Sequence, residues 1–567
     1  MAMADKEEEA YLLSTGRHLA ESYAASRDAV HEAAPTIASG EDLQRCLESL
    51  RWDVPEQGLG SQEELLKLLV DVGKGLTRHS PRYFGFVTGG VLPSAALADW
   101  FVSQYDCNVQ VHLPNESIAT TLENCTVQML LGLLGLSSQT FTGTFTTGAT
   151  GSNILGLACA REAQLKLLNA GQGDEEWSLA EMGFGAEECR RVKVFVAKPH
   201  ASINKAAALT GIGRRNVVDV GRKWKGQGEQ AAEDEEQEAQ RRVAGLDFDL
   251  DRLEKELEEA QSLRFGRIVV VGMGEVNTGA LSSQLPAISK LCKRFKAWLH
   301  VDAAFSAFVA LLPRYGWISE HMSLADSITS DGHKALNVPY DCGIFFVRKD
   351  ESQSDSRAKQ LSVLDMVCGP GKGPGPSYLA SSAVARAGVD GQDQETKKRQ
   401  ELADTLPSPL FRNLENSRRF RALPVYAVLL DQGMQGMRAM VQRNVDFRRK
   451  IEEYLRRPGS PYQVLTPRCR ASEDTAEPWT NDWNTTVVLF RAHPKLCPVG
   501  AYKEPNGGHL ALTDAIKRAR KAYVSPTVFE GIGGVRIAVS HWATALDDDG
   551  RDFRITTEVL DEVMKVK

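Results

Sequence analysis

The sequence predicts an α/β protein whose large domain is built on a mostly parallel central sheet. Between about residues 115 and 350, short apolar runs alternate with helical patterns; the runs are Val192–Ala197, Ile268–Val271, Ala297–Val301 and Gly343–Val347. Strands that alternate with helices are typical of a parallel sheet covered on both faces. The region before this one has only helical periodicity, and the region after it mixes helices with a strand. A helical N-terminal segment and a smaller C-terminal α/β domain are therefore expected.

The boundaries of these three regions are predicted at 1–110, 111–420 and 421–567. In the first region, apolar residues recur at helical spacing on both sides of a proline; they are Leu43, Cys46, Leu47 and Leu50, then Leu65, Leu66, Leu68, Leu69 and Val70. In the third, Met440–Leu455 has a helical pattern and Val535–Val539 predicts a strand. Two charged stretches have too few apolar groups to pack. Glu229–Arg242 predicts a mobile surface insertion, and Ser381 to about Pro409 predicts a mobile lid or a disordered loop.

Composition indicates an ordinary enzyme and argues against several other classes of protein. The chain has 567 residues, 42% of them hydrophobic, and one core rarely supports that length. The formal net charge of -7 offers no basic face to a phosphate backbone, so no nucleic-acid partner is expected. The cysteines show no CxxC spacing, which favours reduced thiols in the cytoplasm. Met1–Glu9 is acidic rather than a secretory signal, and no apolar run reaches the ~18 residues of a membrane span.

A lysine and an aspartate in two successive motifs are suited to pyridoxal 5'-phosphate (PLP). Lys334 lies in Ser330–Pro339, and Asp302 follows the apolar run Ala297–Val301, which predicts a buried strand. A lysine amine can hold an aldehyde cofactor as a Schiff base, and an aspartate facing the pyridine nitrogen keeps that nitrogen protonated. The pair therefore predicts electron-sink chemistry on amino acids. Taken singly, Lys334 would be a solvated lysine and Asp302 a helix cap.

A turn rich in glycine and threonine offers donors for a phosphate. Thr146–Asn153 opens the apolar helical pattern Ile154–Ala160, and the N-terminus of a helix provides N–H groups that favour an anion. Small residues allow the backbone to approach that anion closely. Ala149 and Thr150 are the predicted contacts, and a simple helix cap is the alternative.

The ordered motifs resemble the group II PLP-dependent amino-acid decarboxylases, which include aromatic amino-acid and glutamate decarboxylases. The motifs are Gly272–Gly279, His300–Ala304, Ala325–Ser327, Asp331–Lys334 and Leu336–Gly343. The resemblance runs from about Ser80 to Thr544. It implies fold type I, the aspartate aminotransferase-like architecture, and a homodimer in which the N-terminal segment packs across the partner subunit.

The resemblance also implies roles for individual residues. Lys334, Asp302 and His200 are expected to be catalytic, with His200 stacking on the cofactor ring from the end of a strand; a partly buried structural histidine is the alternative. The expected cofactor contacts are Ala149, Thr150, His200, Asp302, Ala304, Asp331, His333 and Lys334. No metal is expected, and the HExxH signature is absent.

Four residues are candidates for substrate contact. Phe86, Val87 and Thr88 match the family's side-chain pocket, although core packing would explain them nearly as well. Arg536 lies within an apolar run, and a buried guanidinium needs an anion such as a substrate carboxylate. A salt bridge inside the C-terminal domain is the alternative.

The chain departs from its relatives at the step that protonates the product. The usual acid is a tyrosine on the mobile loop, just before a segment matched here by Leu414–Leu423, and no tyrosine occurs between Tyr378 and Tyr426. Other departures are Glu275, where many relatives have threonine, and Ala335, where many have tryptophan. Three functions stay open: a decarboxylase of an L-amino acid, with an aromatic one favoured; an aldehyde synthase that decarboxylates and oxidatively deaminates; and a pseudoenzyme that retains the fold.

Overall fold

A computed structural model describes most of the chain. The described residues are 35–58, 62–169, 178–183, 191–222, 247–349, 362–369, 406–466, 484–505, 507–546 and 550–565, with a few isolated positions elsewhere. The acidic insertion predicted at 229–242 and the lid predicted at 381–409, except for residues 406–409 and the single residue 394, lie outside them.

The predicted strands Val192–Ala197, Ile268–Val271, Ala297–Val301, Gly343–Val347 and Val535–Val539 all overlap observed strands, and the predicted helix Met440–Leu455 lies in an observed helix. The strands are β1 Phe141–Thr146, β2 Val192–Val196, β3 Val217–Asp219, β4 Gly266–Gly272, β5 Trp298–Asp302, β6 Ser327–Asp331, β7 Gly343–Arg348, β8 Tyr462–Val464, β9 Val487–Ala492, β10 Ser525–Phe529 and β11 Ile532–Ala538. The helices are α1 Gly40–Ser49, α2 Gln62–Gly73, α3 Pro93–Tyr105, α4 Ala119–Leu133, α5 Ala149–Asn169, α6 Leu179–Met182, α7 Ala201–Leu209, α8 Leu250–Ser262, α9 Leu285–Arg294, α10 Trp317–Met322, α11 Gly332–Ala335, α12 Val363–Cys368, α13 Ala422–Leu455, α14 Gly508–Arg518 and α15 Arg551–Val563. Gly433, with φ of 54°, interrupts α13.

The chain forms two compact units that are discontinuous in sequence. One comprises 1–88, 443–465 and 486–567, and the other comprises 89–442 and 466–485. We call them the terminal unit and the sheet unit. The predicted division into 1–110, 111–420 and 421–567 describes consecutive segments and stays a prediction.

The sheet unit contains the mostly parallel sheet that the sequence predicts. Its seven strands have the order β1-β7-β6-β5-β4-β2-β3; β7 is antiparallel to both of its neighbours, and the strands from β6 to β3 are parallel. The central strands are rich in valine and isoleucine, and they are buried because helices cover them. Helix α5 packs across β4 to β7, so its first turn lies at the edge where the parallel strands end.

The terminal unit contains an antiparallel sheet of order β10-β11-β9-β8. Its core joins Phe84, Phe447 and Phe490 from three distant parts of the sequence. Arg82 and Asp552 form a buried ion pair with 2.5 Å between Nη1 and Oδ1. Across the part of the chain that the structure describes, no helix is both long enough and apolar enough to cross a membrane.

Candidate active site

The carboxyl ends of the parallel strands bring the predicted catalytic residues to one edge of the sheet. Asp302 ends β5 and pairs in register with Gly272 of β4 and Thr329 of β6. Asp331 ends β6, and its N–H donates to Ala304 O at 3.1 Å. Ala304 is two residues beyond Asp302, so this bond joins the loop after β5 to the segment that carries Lys334. Such an edge is where α/β proteins bind ligands.

Lys334 lies in the short helix α11, immediately after β6. Its Nζ is 2.9 Å from Asp331 Oδ2, and about one fifth of its side chain is exposed. Asp331 is buried, and its Oδ1 has no hydrogen-bond partner among the described residues. A buried acceptor without a donor is unfavourable, and it is typical of a site that a ligand or water completes.

The predicted phosphate turn is held against the lysine segment. Thr146 Oγ1 lies 2.8 Å from Ser152 Oγ and donates to Gly148 O at 3.0 Å. A Cβ on Gly343, at the start of β7, would come within 2.3 Å of Thr146 Oγ1 and 2.5 Å of the Gly148 backbone. Gly343 therefore has to be glycine for the turn to pack here. Ala149 and Thr150, the predicted contacts, are the first residues of α5, where helix N–H groups lack intrahelical acceptors.

His333 lies between Asp331 and an aromatic ring. Its Nδ1 accepts from the N–H of Cys342 at 3.2 Å, and its Nε2 is 3.5 Å from Asp331 Oδ2. Burial lowers the pKa of His333, although the Asp331 carboxylate opposes that shift. The ring of Tyr340 stacks on His333 at a centroid distance of 4.3 Å. His333 is thus a neutral ring that presents Nε2–H toward Asp331.

The Asp302 carboxylate accepts two hydrogen bonds that orient it. Asn153 Nδ2 donates to Oδ2 at 2.8 Å, and the N–H of Ala304 donates to Oδ1 at 3.2 Å. These two bonds fix the direction in which the carboxylate points. Asp302 is half-buried, so it keeps an open side at the sheet edge.

His200 is the N-cap of α7 and is exposed, which differs from the structural alternative of a partly buried histidine. Its Nδ1 accepts from the N–H of Ser202 at 3.2 Å and lies 2.7 Å from Ser202 Oγ. Ser202 Oγ also accepts a hydrogen bond from Asn153 Nδ2 at 3.1 Å. The structure therefore joins His200 and Asp302 through Asn153 and Ser202, two residues that the sequence analysis did not assign.

Sequence periodicity contained a signal for this network. Successive side chains of a strand point to opposite faces, so His300 and Asp302 share one face of β5. His300 Nε2 is 2.9 Å from Asn153 Oδ1, and a Cβ on Gly156 would come within 2.5 Å of the His300 ring. Gly156 thus allows α5 to approach β5 closely.

The four candidate substrate residues belong to the terminal unit. Phe86 and Val87 both have positive φ, 55° and 62°, which is rare for a bulky or β-branched residue and typical of functional or strained positions. Phe86 is exposed, whereas Val87 and Thr88 are buried. Arg536 is buried on β11, in register with Leu489 and Ser525.

The departure at Glu275 has a structural explanation. The Glu275 carboxylate accepts from the N–H groups of Asn277 and Thr278 at 2.9 and 2.7 Å, and from their side chains at 2.7 and 2.8 Å. It fixes the loop after β4. Nothing in the structure explains Ala335.

The donor set of the sheet unit fits PLP. A helix N-terminus suits the phosphate, the oriented Asp302 carboxylate suits a protonated pyridine nitrogen, and a lysine amine beside a carboxylate suits the aldehyde. Gly148 lies against His333 and Asp331, where a Cβ would be 3.4 Å from His333 Cε1 and 3.9 Å from Asp331 Oδ1. The turn and the lysine segment therefore lie next to each other.

Comparison with known proteins agrees with this chemistry. The pyridoxal-dependent decarboxylase conserved domain matches residues 246–364. The chain is 23% identical over 467 residues to the L-2,4-diaminobutyrate decarboxylase of Acinetobacter baumannii, covering 81% of this chain and 77% of that protein. Its fold is similar to that of Oryza sativa TDC with PLP and tryptamine, with a TM-score of 0.72 and 18% identity over 98% and 97% of the two chains. Rhodiola rosea 4-hydroxyphenylacetaldehyde synthase gives a TM-score of 0.70 and 16% identity over 98% of both chains.

These matches confirm the predicted fold type I architecture and the predicted resemblance to group II decarboxylases. They also bear out PLP as the cofactor. Residues 246–364 match the pyridoxal-dependent decarboxylase conserved domain, and the chain is similar to an amino-acid decarboxylase over most of its length.

Proposed function

We propose that this protein is a PLP-dependent carboxy-lyase that converts an L-amino acid, with an aromatic one favoured, into an amine and CO₂. The observation that carries the proposal is the arrangement at one sheet edge of Lys334, the oriented Asp302 carboxylate and the first turn of α5. When bound, PLP supplies an electron sink for the pair left at Cα as CO₂ departs.

Each part of the sheet edge has a distinct task in this proposal. The N–H groups of Ala149 and Thr150 bind the phosphate, and Asp302 holds a proton at the pyridine nitrogen. Lys334 provides the amine that anchors the cofactor. Asp331, whose Oδ2 is 2.9 Å from Lys334 Nζ, holds the end of the lysine side chain in place.

His200 and His333 are the two imidazoles of the proposal. Since both rings accept a donor at Nδ1, each neutral ring carries its proton at Nε2. His200, being exposed, is proposed to stack on the cofactor ring. His333 is proposed to lie beside the phosphate, and Ala304 to line the ring through its backbone.

Phe86, Val87, Thr88 and Arg536 are proposed as substrate contacts on the basis of the resemblance. Aromatic and apolar side chains favour an aromatic substrate, and a guanidinium binds a carboxylate with two parallel hydrogen bonds. A panel of L-amino acids assayed for CO₂ release tests this choice. Glutamate or 2,4-diaminobutyrate as the best substrate would contradict it.

An aldehyde synthase is the second candidate, because no tyrosine lies between Tyr378 and Tyr426. A positioned general acid contributes roughly 10²–10⁴-fold to proton transfer, so its loss slows protonation of Cα and leaves time for oxygen to react there. The decarboxylase yields amine and CO₂ without oxygen uptake. Oxygen consumption with aldehyde, ammonia and peroxide among the products would identify the synthase instead.

Replacement of Lys334 tests the proposal directly. In Lys334→Ala, borohydride should no longer trap cofactor covalently, because the anchoring amine is gone. Lys349→Ala is the matched control, since Lys349 donates to Ser138 O at 2.8 Å rather than to a site residue. Continued trapping in the Lys334 variant would contradict the assignment, and trapping should be retained in the control.

A homodimer in the cytoplasm is proposed as well. Helix α1 has no buried residue, and Leu43 and Leu47 are about half exposed despite their helical spacing. A partner subunit would cover such a face. Light scattering should give twice the 62.2 kDa chain mass, and Leu43→Glu with Leu47→Glu should shift the equilibrium toward monomer.

A further inference from the structure

The amide of Asn153 joins the two groups that are proposed to face the cofactor ring. Its Nδ2 donates to Asp302 Oδ2 at 2.8 Å and to Ser202 Oγ at 3.1 Å. Ser202 Oγ lies 2.7 Å from His200 Nδ1. Asn153 is completely buried in the second turn of α5, where no solvent competes for its amide.

The buried ring of His300 determines which way this amide points. Asn153 Oδ1 is only an acceptor, so His300 Nε2, 2.9 Å away, carries a proton. His300 Nδ1 then accepts from the Ser327 hydroxyl at 2.8 Å, and Trp298 Nε1–H donates to that hydroxyl at 2.9 Å. Burial lowers the pKa of His300 to about 4, so the ring stays neutral near pH 7. The donors of Trp298, Ser327 and His300 thus follow one another toward Asn153 Oδ1. The NH₂ group of Asn153 therefore faces the Asp302 carboxylate.

The hydrogen bonds that run from Asn153 through Ser202 determine which nitrogen of His200 carries the proton. Because the Ser202 hydroxyl receives the amide proton, its own proton is directed to His200 Nδ1. The Ser202 N–H points to the same nitrogen. Two donors at Nδ1 leave Nε2 as the protonated nitrogen of the neutral ring.

We propose that Asn153 is a positioning residue of this site, whose amide orients the Asp302 carboxylate and, through Ser202, fixes the tautomer of His200. The inference rests on the proposed function and adds to it a determinant that lies behind the reacting groups. It is analogous to the outer contacts that orient the ligands of metal sites.

Asn153→Asp is the sharpest test, because the side chain keeps its shape and its acceptor for His300. The variant turns a second carboxylate oxygen toward Asp302 in place of a donor. The dissociation constant of PLP should rise roughly 10- to 100-fold in Asn153→Ala and further in Asn153→Asp, since a bond to a charged group is lost and then replaced by repulsion. Fluorescence titration of PLP into cofactor-stripped protein measures this constant.

A structural effect is separated from positioning by a matched asparagine. Asn216 lies in the same unit, and its amide donates to Ile212 O at 2.6 Å. Asn216→Ala should lower the Tm of the cofactor-free protein without changing the PLP dissociation constant. If the PLP dissociation constant rises in all three variants only in proportion to the loss of Tm, the inference is overturned. An Asn153→Asp dissociation constant within twofold of the wild-type value would also overturn it.

If the Asn153 variants do not fold, substitutions of Ser202 test the hydrogen bonds between Asn153 and His200. Ser202→Ala should lower kcat/KM by about 3- to 10-fold, and Ser202→Thr, which retains the hydroxyl, should restore it. Equal loss in both variants would count against the inference. Failure of the wild-type protein to bind PLP would instead refute the proposed function.

Discussion

At the scale of single residues, the candidate site depends on carboxylates whose donors are in place before any ligand arrives. Asp302 is fixed by Asn153 and by the Ala304 backbone, and Glu275 is occupied by four donors of its own loop. The motifs predicted Asp302 as a site residue. They did not predict its partner, because a hydrogen bond between residues 149 positions apart follows from how α5 packs on β5.

Asp302→Ala should lower kcat by at least about 10²-fold, because the variant loses the charge that we propose keeps the pyridine nitrogen protonated. The Tm of the cofactor-free protein should change little, since Asp302 is only half-buried. Steady-state kinetics and thermal unfolding measure the two effects. Near-normal turnover of the variant would count against its role.

At the scale of elements, sequence periodicity located β2, β4, β5 and β7 of the sheet and the helix that crosses them. It did not locate β1, β6 or the three-residue β3, and the apolar pattern of α5 starts only at Ile154, five residues after the helix begins. Strand β3 forms through its pairing with β2, and the position of α5 depends on the close approach of Gly156 to His300. Neither is encoded in local periodicity.

Two glycine-to-alanine substitutions should therefore change the free energy of unfolding in opposite directions. Gly156→Ala should lower the free energy of unfolding by about 1–3 kcal/mol, because the new Cβ meets the His300 ring at 2.5 Å and both ring nitrogens are already bonded. Gly132→Ala, in α4 with no atom within 4 Å, should raise it by up to about 1 kcal/mol. Chemical denaturation compares the two, and equal effects would contradict the packing argument.

At the scale of the whole molecule, the sequence predicted the fold class but not the composition of the units. The terminal unit combines residues 1–88 with two later segments, and its core includes Phe84 beside Phe447. Helical spacing near the N-terminus gives no sign of where that segment packs. Only contacts between residues far apart in sequence decide it.

Two buried histidines should make stability depend on pH. Burial lowers the pKa of His300 to about 4 and that of His541 to about 3; His541 Nε2 donates to His79 O, and its Nδ1 accepts from Ala543 N–H. In the unfolded chain both rings bind a proton near pH 6.5. The unfolded state therefore binds more protons below that pH, and the free energy of unfolding should fall as pH decreases from 6.5 toward 4.

The slope should reach up to about 1.4 kcal/mol per pH unit for each ring. Denaturant titrations at pH 7.5, 6.5 and 5.5 measure it. His541→Gln keeps a donor and an acceptor but cannot be protonated, so its slope should be smaller than that of the wild type. Identical slopes would show that His541 does not contribute.

The close fit of Gly343 against Thr146 and Gly148 limits how this enzyme can be recombined with its relatives. Any chimaera that imports a foreign lysine segment with a larger residue at position 343 would displace the native turn Thr146–Asn153. Domain-shuffling libraries should therefore exchange 141–153 and 327–348 as a linked pair, although 173 residues separate them along the chain.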